Sequence, residues 1–446
     1  MLSLIILIIA LILYQKNKVY SIALFILLAF GGSRIFPFFI GGVKCTDISI
    51  IYLIIITSIN WFYNKNYFKL DSISKNLNLL ALFFFISGLF SIFYYKFSII
   101  QVLIVLRTYC YFLSYYFIRT LTPKQINKLL QLLGLITFIC GIAYLIQIPL
   151  GTSILFDTNN EYAQGEDYGG LTRFTNVPPF NYLFFFLAFF SYKAYGSKSA
   201  IWNKVVYSLA ILLSFGRTAI AFSFGILLLG ITLTKKQYIK WVILSSIILL
   251  PAIGIISKSF SNRNSSSDIE MIINGDFRDY QTGSKSEAST MTYRVAWIYE
   301  RFDYLISQPF IEQCFGLGYI SDEDKNINKY YKFQICGYQG EDDFQILYSF
   351  DIAWGNFVTR FGIIGTIIML SIWIKFLFFF WKHKNNDIAF SSFLYIIYLF
   401  CNSIASQSIS ETVNMIPIFI LYIIVKYQIK NNFHEDQSNN IIYSHS

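Results

Sequence analysis

Long apolar runs almost free of charge recur along this chain, and each approaches the roughly 20 residues that a helix needs to cross a bilayer. They fall near 1–14, 19–40, 46–63, 77–95, 98–118, 126–148, 178–195, 199–214, 217–233, 237–257, 351–381, 388–404 and 411–427. Only 13% of the 446 residues are charged, against roughly a quarter in an ordinary soluble domain. The expected fold is therefore an all-α polytopic membrane protein of about 12–13 transmembrane helices, with a large extracytoplasmic loop containing amphipathic helices.

Charge is distributed unevenly. Between Lys258 and Asp343 there are 9 Lys/Arg and 14 Asp/Glu, a net of −5, so the formal +10 of the whole chain leaves +15 elsewhere. The basic residues lie in short connections, at Lys16 and Lys18, Lys65 to Lys75, Arg119 to Lys128, Lys193 to Lys204, Lys235 to Lys240, and Lys382 and Lys384. That is the pattern of cytoplasmic loops, and it argues against nucleic-acid binding as the source of the charge. Alternation then puts residues 150–177 and 258–350 outside and the C-terminal tail inside. The organisation expected is a bundle of about ten helices over 1–257, a large outer loop over 258–350, further transmembrane helices over 351–427 and a polar cytoplasmic tail over 428–446. The first run has no basic residue before it and no small-residue cleavage site after it, so it reads as a retained span. No fixed repeat and no inverted pair of broken helices stands out.

The outer loop of residues 258–350 is far longer than a simple connection requires, which marks it as functional or disordered. Its first part, Ser261 to Ser267, is polar. From Thr292 the residues Trp297, Ile298, Phe302, Leu305 and Ile306 repeat at helical spacing and end at Gln308-Pro309. This predicts an amphipathic helix along the outer membrane surface, with Trp297 and Phe302 at headgroup depth. Cys314 and Cys336 share this loop, in a compartment that permits disulfides, and a bridge between them would fix the segment Asp322-Glu323-Asp324. The sequence leaves that pairing open, because it does not give the Cα separation.

A charge at membrane depth is costly and therefore a functional hypothesis, which singles out five arginines. Arg107 falls in the middle of the run 98–118, on a stripe with Tyr111, Ser114 and Ile118. Arg173 follows Gly169-Gly170, Arg217 stands between two apolar runs, Arg294 opens the amphipathic helix, and Arg360 begins an apolar stretch. For any one of them, an interfacial arginine with its head in water is the plainer reading. Several converging on one side would suit a lipid-linked diphosphate, because the planar guanidinium binds phosphate oxygens in pairs.

The stretches Arg173-x2-Asn176-x-Pro178-Pro179, Ser214-x2-Arg217-Thr218, Arg294-x2-Trp297 with Pro309 and Gly316-x-Gly318, and Asp351-x2-Trp354 with Gly362-Ile363-Ile364-Gly365 are individually unspecific. Their order, with the large loop before the last, resembles the O-antigen polymerase (Wzy) and O-antigen ligase (WaaL) superfamily over residues 120–430. The resemblance implies a glycosyltransferase of the bacterial inner membrane, working at its outer face on an undecaprenyl-diphosphate-linked oligosaccharide without a nucleotide sugar, cofactor or metal. A chain-length regulator is the implied protein partner and membrane lipid the surroundings. The ligase pattern carries a histidine in the large outer loop, whereas His383, His434 and His445 all fall on the expected cytoplasmic side, which favours the polymerase.

In such a reaction an acceptor hydroxyl attacks the anomeric carbon and undecaprenyl diphosphate leaves. Arg217 and Arg294 are the first choices to stabilise the departing diphosphate, with Arg173, Arg107 and Arg360 as further ligands. A carboxylate would serve as general base, and the candidates are Glu341, Asp342, Asp343 and Asp351. Acidic runs in outer loops are more often simply solvated. The acidic clusters lack the spacing of a calcium loop, and no phosphate-loop motif surrounds Arg217, so metal and ATP chemistry are not expected. The alternatives are a ligase-type glycan transferase, or a lipid-linked oligosaccharide flippase or other transporter, which would need more than one arginine deep in the bundle.

Overall fold

A computed structural model describes residues 2–64, 67–157, 165–168, 171–191, 200–234, 274–275, 290–321, 327–333, 335 and 352–443. The chain is predominantly helical. Its helices are α1 (Leu2–Lys16), α2 (Lys18–Ala29), α3 (Cys45–Tyr63), α4 (Ser72–Phe93), α5 (Ile99–Leu106), α6 (Ser114–Ile118), α7 (Pro123–Leu150), α8 (Asn181–Phe190), α9 (Ala200–Leu212) and α10 (Arg217–Thr234). After them come α11 (Thr290–Ser307), α12 (Phe310–Phe315), α13 (Ile327–Tyr330), α14 (Ala353–Asn356), α15 (Gly362–Lys382), α16 (Asp387–Asn402) and α17 (Met415–Tyr443). Two minimal antiparallel hairpins, Phe39–Ile40 with Val43–Lys44 and Glu166–Tyr168 with Leu171–Arg173, are the strands among the described residues.

Among the described residues, seven helical stretches are long and apolar enough to span a membrane, and five shorter apolar helices accompany them. This is a helical polytopic membrane protein. The run 237–257 lies outside the described residues. Where helices start and stop, the local chemistry accounts for it. Asp71 and Ser74 form a reciprocal capping box at the start of α4, and Thr122 with Gln125 does the same for α7, where Pro123 takes the first helical position.

Three stretches depart from a simple rod. The run 19–40 is helical only to Ala29, because Gly31 and Gly32 turn left-handed and a side chain on Gly32 would meet the Phe36 carbonyl at 2.6 Å. The run 98–118 tightens to a 3-10 turn at Arg107–Leu113, and the one from 351 opens as a π turn at Phe357–Phe361.

Helix alternation gives the bundle two ends. At the upper end Arg34 pairs with Asp157 at 3.2 Å and Phe30 meets Phe180 at 4.6 Å, bringing the α2–α3 and α7–α8 connections together. At the lower end Lys426 pairs with Asp71 at 3.6 Å, and Arg119 donates to the carbonyls of Lys69 and Tyr67.

The helix expected from Thr292 is present as α11 and stops before Pro309, but its setting differs from the surface placement expected. Trp297 is fully buried, with its ring where a Cβ on Gly355 would come within 2.5 Å, while Phe302 is exposed. Arg301, also fully buried, lies 3.8 Å from the Phe333 ring centre and 4.4 Å from that of Trp297, and donates to the Ile335 carbonyl at 2.8 Å. This face of α11 packs into protein, because a buried guanidinium needs carbonyl and ring partners that a lipid surface does not offer.

Candidate functional site at the upper end of the bundle

The two irregular turns and the loop leading into α17 meet at the upper end. Thr412 Oγ1, in the 3-10 turn Thr412–Asn414, donates to the carbonyls of Thr108 at 3.3 Å and Tyr109 at 2.9 Å. Arg360 Nη1 donates to the Tyr109 hydroxyl at 3.5 Å, that hydroxyl donates to Asn356 Oδ1 at 3.5 Å, and Asn356 Nδ2 donates to Ser410 Oγ at 3.3 Å. Non-α backbone within a membrane protein is tolerated where it is buried in protein or lines a polar interior, and π turns recur at functional sites.

Glu411 follows Ser410 and retains partial exposure although protein closes around it. Burial pushes its carboxyl up to about 7, against the opposing pull of the Arg360 charge. A carboxyl poised there can exchange a proton near neutral pH. Arg360 itself is 4% exposed and holds the deepest position of the five candidate arginines. Beside this group Arg107 Nη1 pairs with Asp47 Oδ1 at 3.3 Å, and Asp47 stands in the first turn of α3.

The glycine positions bring further stretches to the same place. A Cβ on Gly362 would lie 2.4 Å from the Gly316 nitrogen, and both residues have positive φ, so two backbones touch where no side chain fits. Leu317 N donates to the Thr359 carbonyl at 2.6 Å. Together with the Trp297–Gly355 packing, this gathers residues 294–297, 316–318 and 354–365 around one helix break. Arg294 is half-buried one turn before Trp297, on the same face of α11.

A second group joins Arg173 to the segment before Arg217. Arg173 Nε donates to the Ser214 carbonyl at 3.3 Å. Ser214 Oγ accepts from Gly216 N at 3.3 Å, and Phe215 between them holds φ at 51°, a left-handed conformation that a bulky residue rarely adopts. Arg217 is the first residue of α10, where a cation opposes the helix dipole, so helix stability does not explain it.

Arg107, expected as a phosphate ligand, is thus engaged by Asp47, whereas Arg173 and Arg217 share one corner and Arg360 shares another with Glu411. The candidate bases Glu341, Asp342, Asp343 and Asp351 lie outside the described residues, as do the Asp322-Glu323-Asp324 cluster and Cys336, the partner considered for Cys314; Cys314 itself is a buried thiol. Sequence reasoning passed over Glu411 and Asp47. A signal was there: Glu411 is the single charged residue between Asp387 and Lys426, and Asp47 the single acidic residue before Asp71. Among the described residues no three His, Cys, Asp or Glu side chains come together as a metal site. No family model and no curated protein matches the chain.

Proposed function

We propose that this protein is a surface-polysaccharide polymerase that transfers a growing glycan from undecaprenyl diphosphate onto a new lipid-linked repeat unit at the outer face of a bacterial inner membrane. The observation that carries the reading is the juxtaposition of Glu411 and Arg360 at a broken-helix junction, at the same bundle end as Arg173, Arg217 and Arg294. That end is the extracytoplasmic one if the lysine-rich connections are cytoplasmic.

In this mechanism the acceptor hydroxyl oxygen forms a bond to the anomeric carbon as the bond from that carbon to the diphosphate oxygen breaks. The hydroxyl proton passes to the Glu411 carboxylate, and the bonding electrons leave with undecaprenyl diphosphate. Arginines at the upper end, Arg217 and Arg294 first, stabilise the charge that develops on the leaving group. A chain-length regulator would act on this step from outside the catalytic group.

Deletion of the gene in its native host, with gel separation of surface glycan and extraction of undecaprenyl-linked intermediates, tests the reading. A glycan ladder collapsing to a single repeat unit on its acceptor is expected. Long chains persisting on undecaprenyl diphosphate would replace polymerase with ligase, and single units trapped on the cytoplasmic side would replace it with flippase.

A further inference from the structure

The lower end of the bundle carries a cavity of about 380 Å³, lined by Asn64, Lys69, Asp71, Arg119, Thr120 and Lys426 among others. Its three cations face one carboxylate. Asp71 is already heavily engaged: it accepts from the backbone of Ile73 at 3.1 Å and of Ser74 at 2.8 Å and from the Tyr115 hydroxyl at 2.6 Å, besides its pair with Lys426. Arg119 is held rigidly, donating to the Lys69 carbonyl at 2.8 Å and lying 5.0 Å from the Tyr116 ring centre, so its charge is fixed at the cavity wall without a carboxylate partner of its own in these contacts. Lys69 is exposed, and Lys426 keeps 54% of its side chain accessible. The cavity therefore presents a net positive charge.

Its depth is marked by aromatic residues. Trp61, Phe62 and Tyr63, the last turn of α3 just before Asn64, are 62%, 83% and 83% exposed, and Leu70 at the rim is 56% exposed. Exposed Trp and Tyr at the end of a spanning helix sit at the headgroup layer, where they are neither fully in hydrocarbon nor fully in water. A positively charged cavity at that level, between transmembrane helices and open beside apolar side chains, has the chemistry of a phosphate ester carrying acyl chains.

We infer that this cavity binds the phosphate headgroup of an anionic phospholipid from the leaflet at the lysine-rich end, its acyl chains running down beside Leu70 and the end of α3. The inference does not depend on the proposed polymerase activity.

The test uses purified full-length protein and native mass spectrometry, with phosphatidylglycerol and phosphatidylcholine titrated separately into the detergent. Wild type is expected to retain one phosphatidylglycerol that phosphatidylcholine does not replace. Lys69→Ala/Lys426→Ala should weaken that binding about tenfold or more, since each cation near a membrane surface contributes roughly fivefold. Lys124→Ala/Lys382→Ala removes the same charge from the same end but outside the cavity lining and should leave the bound lipid in place. Equal loss in both double variants would reduce the effect to bulk surface charge and overturn the site. Displacement of the lipid by millimolar inorganic phosphate would overturn it in favour of a soluble anion. A conservative Lys69→Arg/Lys426→Arg variant, which keeps the charge, should retain the lipid, and failure to do so in a folded protein would also refute the assignment.

Discussion

Arg173 Nε donates to the carbonyl of Ser214 at 3.3 Å, tying the strand that follows the α7 connection to the strained turn that delivers Arg217. The segments that carry two arginines 44 positions apart are thereby joined.

On the proposed mechanism, Arg217→Ala and Arg294→Ala should each lower glycan transfer by about 10²-fold or more, with protein levels unchanged, because each removes a cation proposed to stabilise the leaving diphosphate. Arg301→Ala should behave differently. Its guanidinium is fully buried between rings and a backbone carbonyl, so its loss should cut the amount of folded protein before activity is read. Immunoblots of membrane fractions beside glycan gels separate the two outcomes. Full activity in both Arg217→Ala and Arg294→Ala would remove them from the diphosphate site.

Glu411→Gln should lower transfer by roughly 10²–10⁴-fold if the carboxylate takes the acceptor proton. Wild-type transfer in membranes should rise as pH increases through about 7, as the carboxyl ionises, and this limb should be missing from the residual activity of the variant.

The same group links stability to pH. The folded pKa of Glu411 lies above the ordinary glutamate value, so its contribution to stability is complete below about 4.3 and is lost as pH rises through about 7. Thermal unfolding in detergent should show wild type losing stability relative to Glu411→Gln across that interval. A constant difference between the two proteins would show that the carboxyl titrates normally.

Gly316→Ala should destabilise by about 1–3 kcal/mol from its backbone alone, since φ 83° with ψ −172° is a region essentially open only to glycine. The new methyl would also lie 2.9 Å from the Arg360 carbonyl, so the π turn that carries Arg360 must shift. Transfer should therefore fall further than the loss of folded protein accounts for. Gly225→Ala, where nothing lies within 4 Å of the added carbon, should leave both unchanged.

Arg107 and Asp47 should couple by no more than about 1 kcal/mol in a double-mutant cycle of thermal unfolding, because their side chains are 37% and 23% exposed and solvent screens the pair. A much larger coupling would place the pair in a drier setting than its exposure indicates.

The sequence by itself determined that the chain is a helical membrane protein, where most of its spans run, and which bundle end gathers the lysines. Hydrophobic length and loop charge are local quantities, legible without knowing any long-range contact. Tertiary structure alone decided where those helices break and what the breaks bring together. Tyr109 and Arg360 are 251 residues apart, and the tightened turn of one segment and the helix break of the other both reach the loop at Ser410–Thr412, through the Tyr109 carbonyl and Asn356. Periodicity placed Trp297 correctly on the apolar face of a helix, but could not tell whether lipid or protein covered it, since both present apolar partners to an indole ring. Glu411 drew no attention as a residue beside an apolar run, and only the closing of other segments around it supplies the burial that raises its carboxyl toward neutrality, against the pull of Arg360.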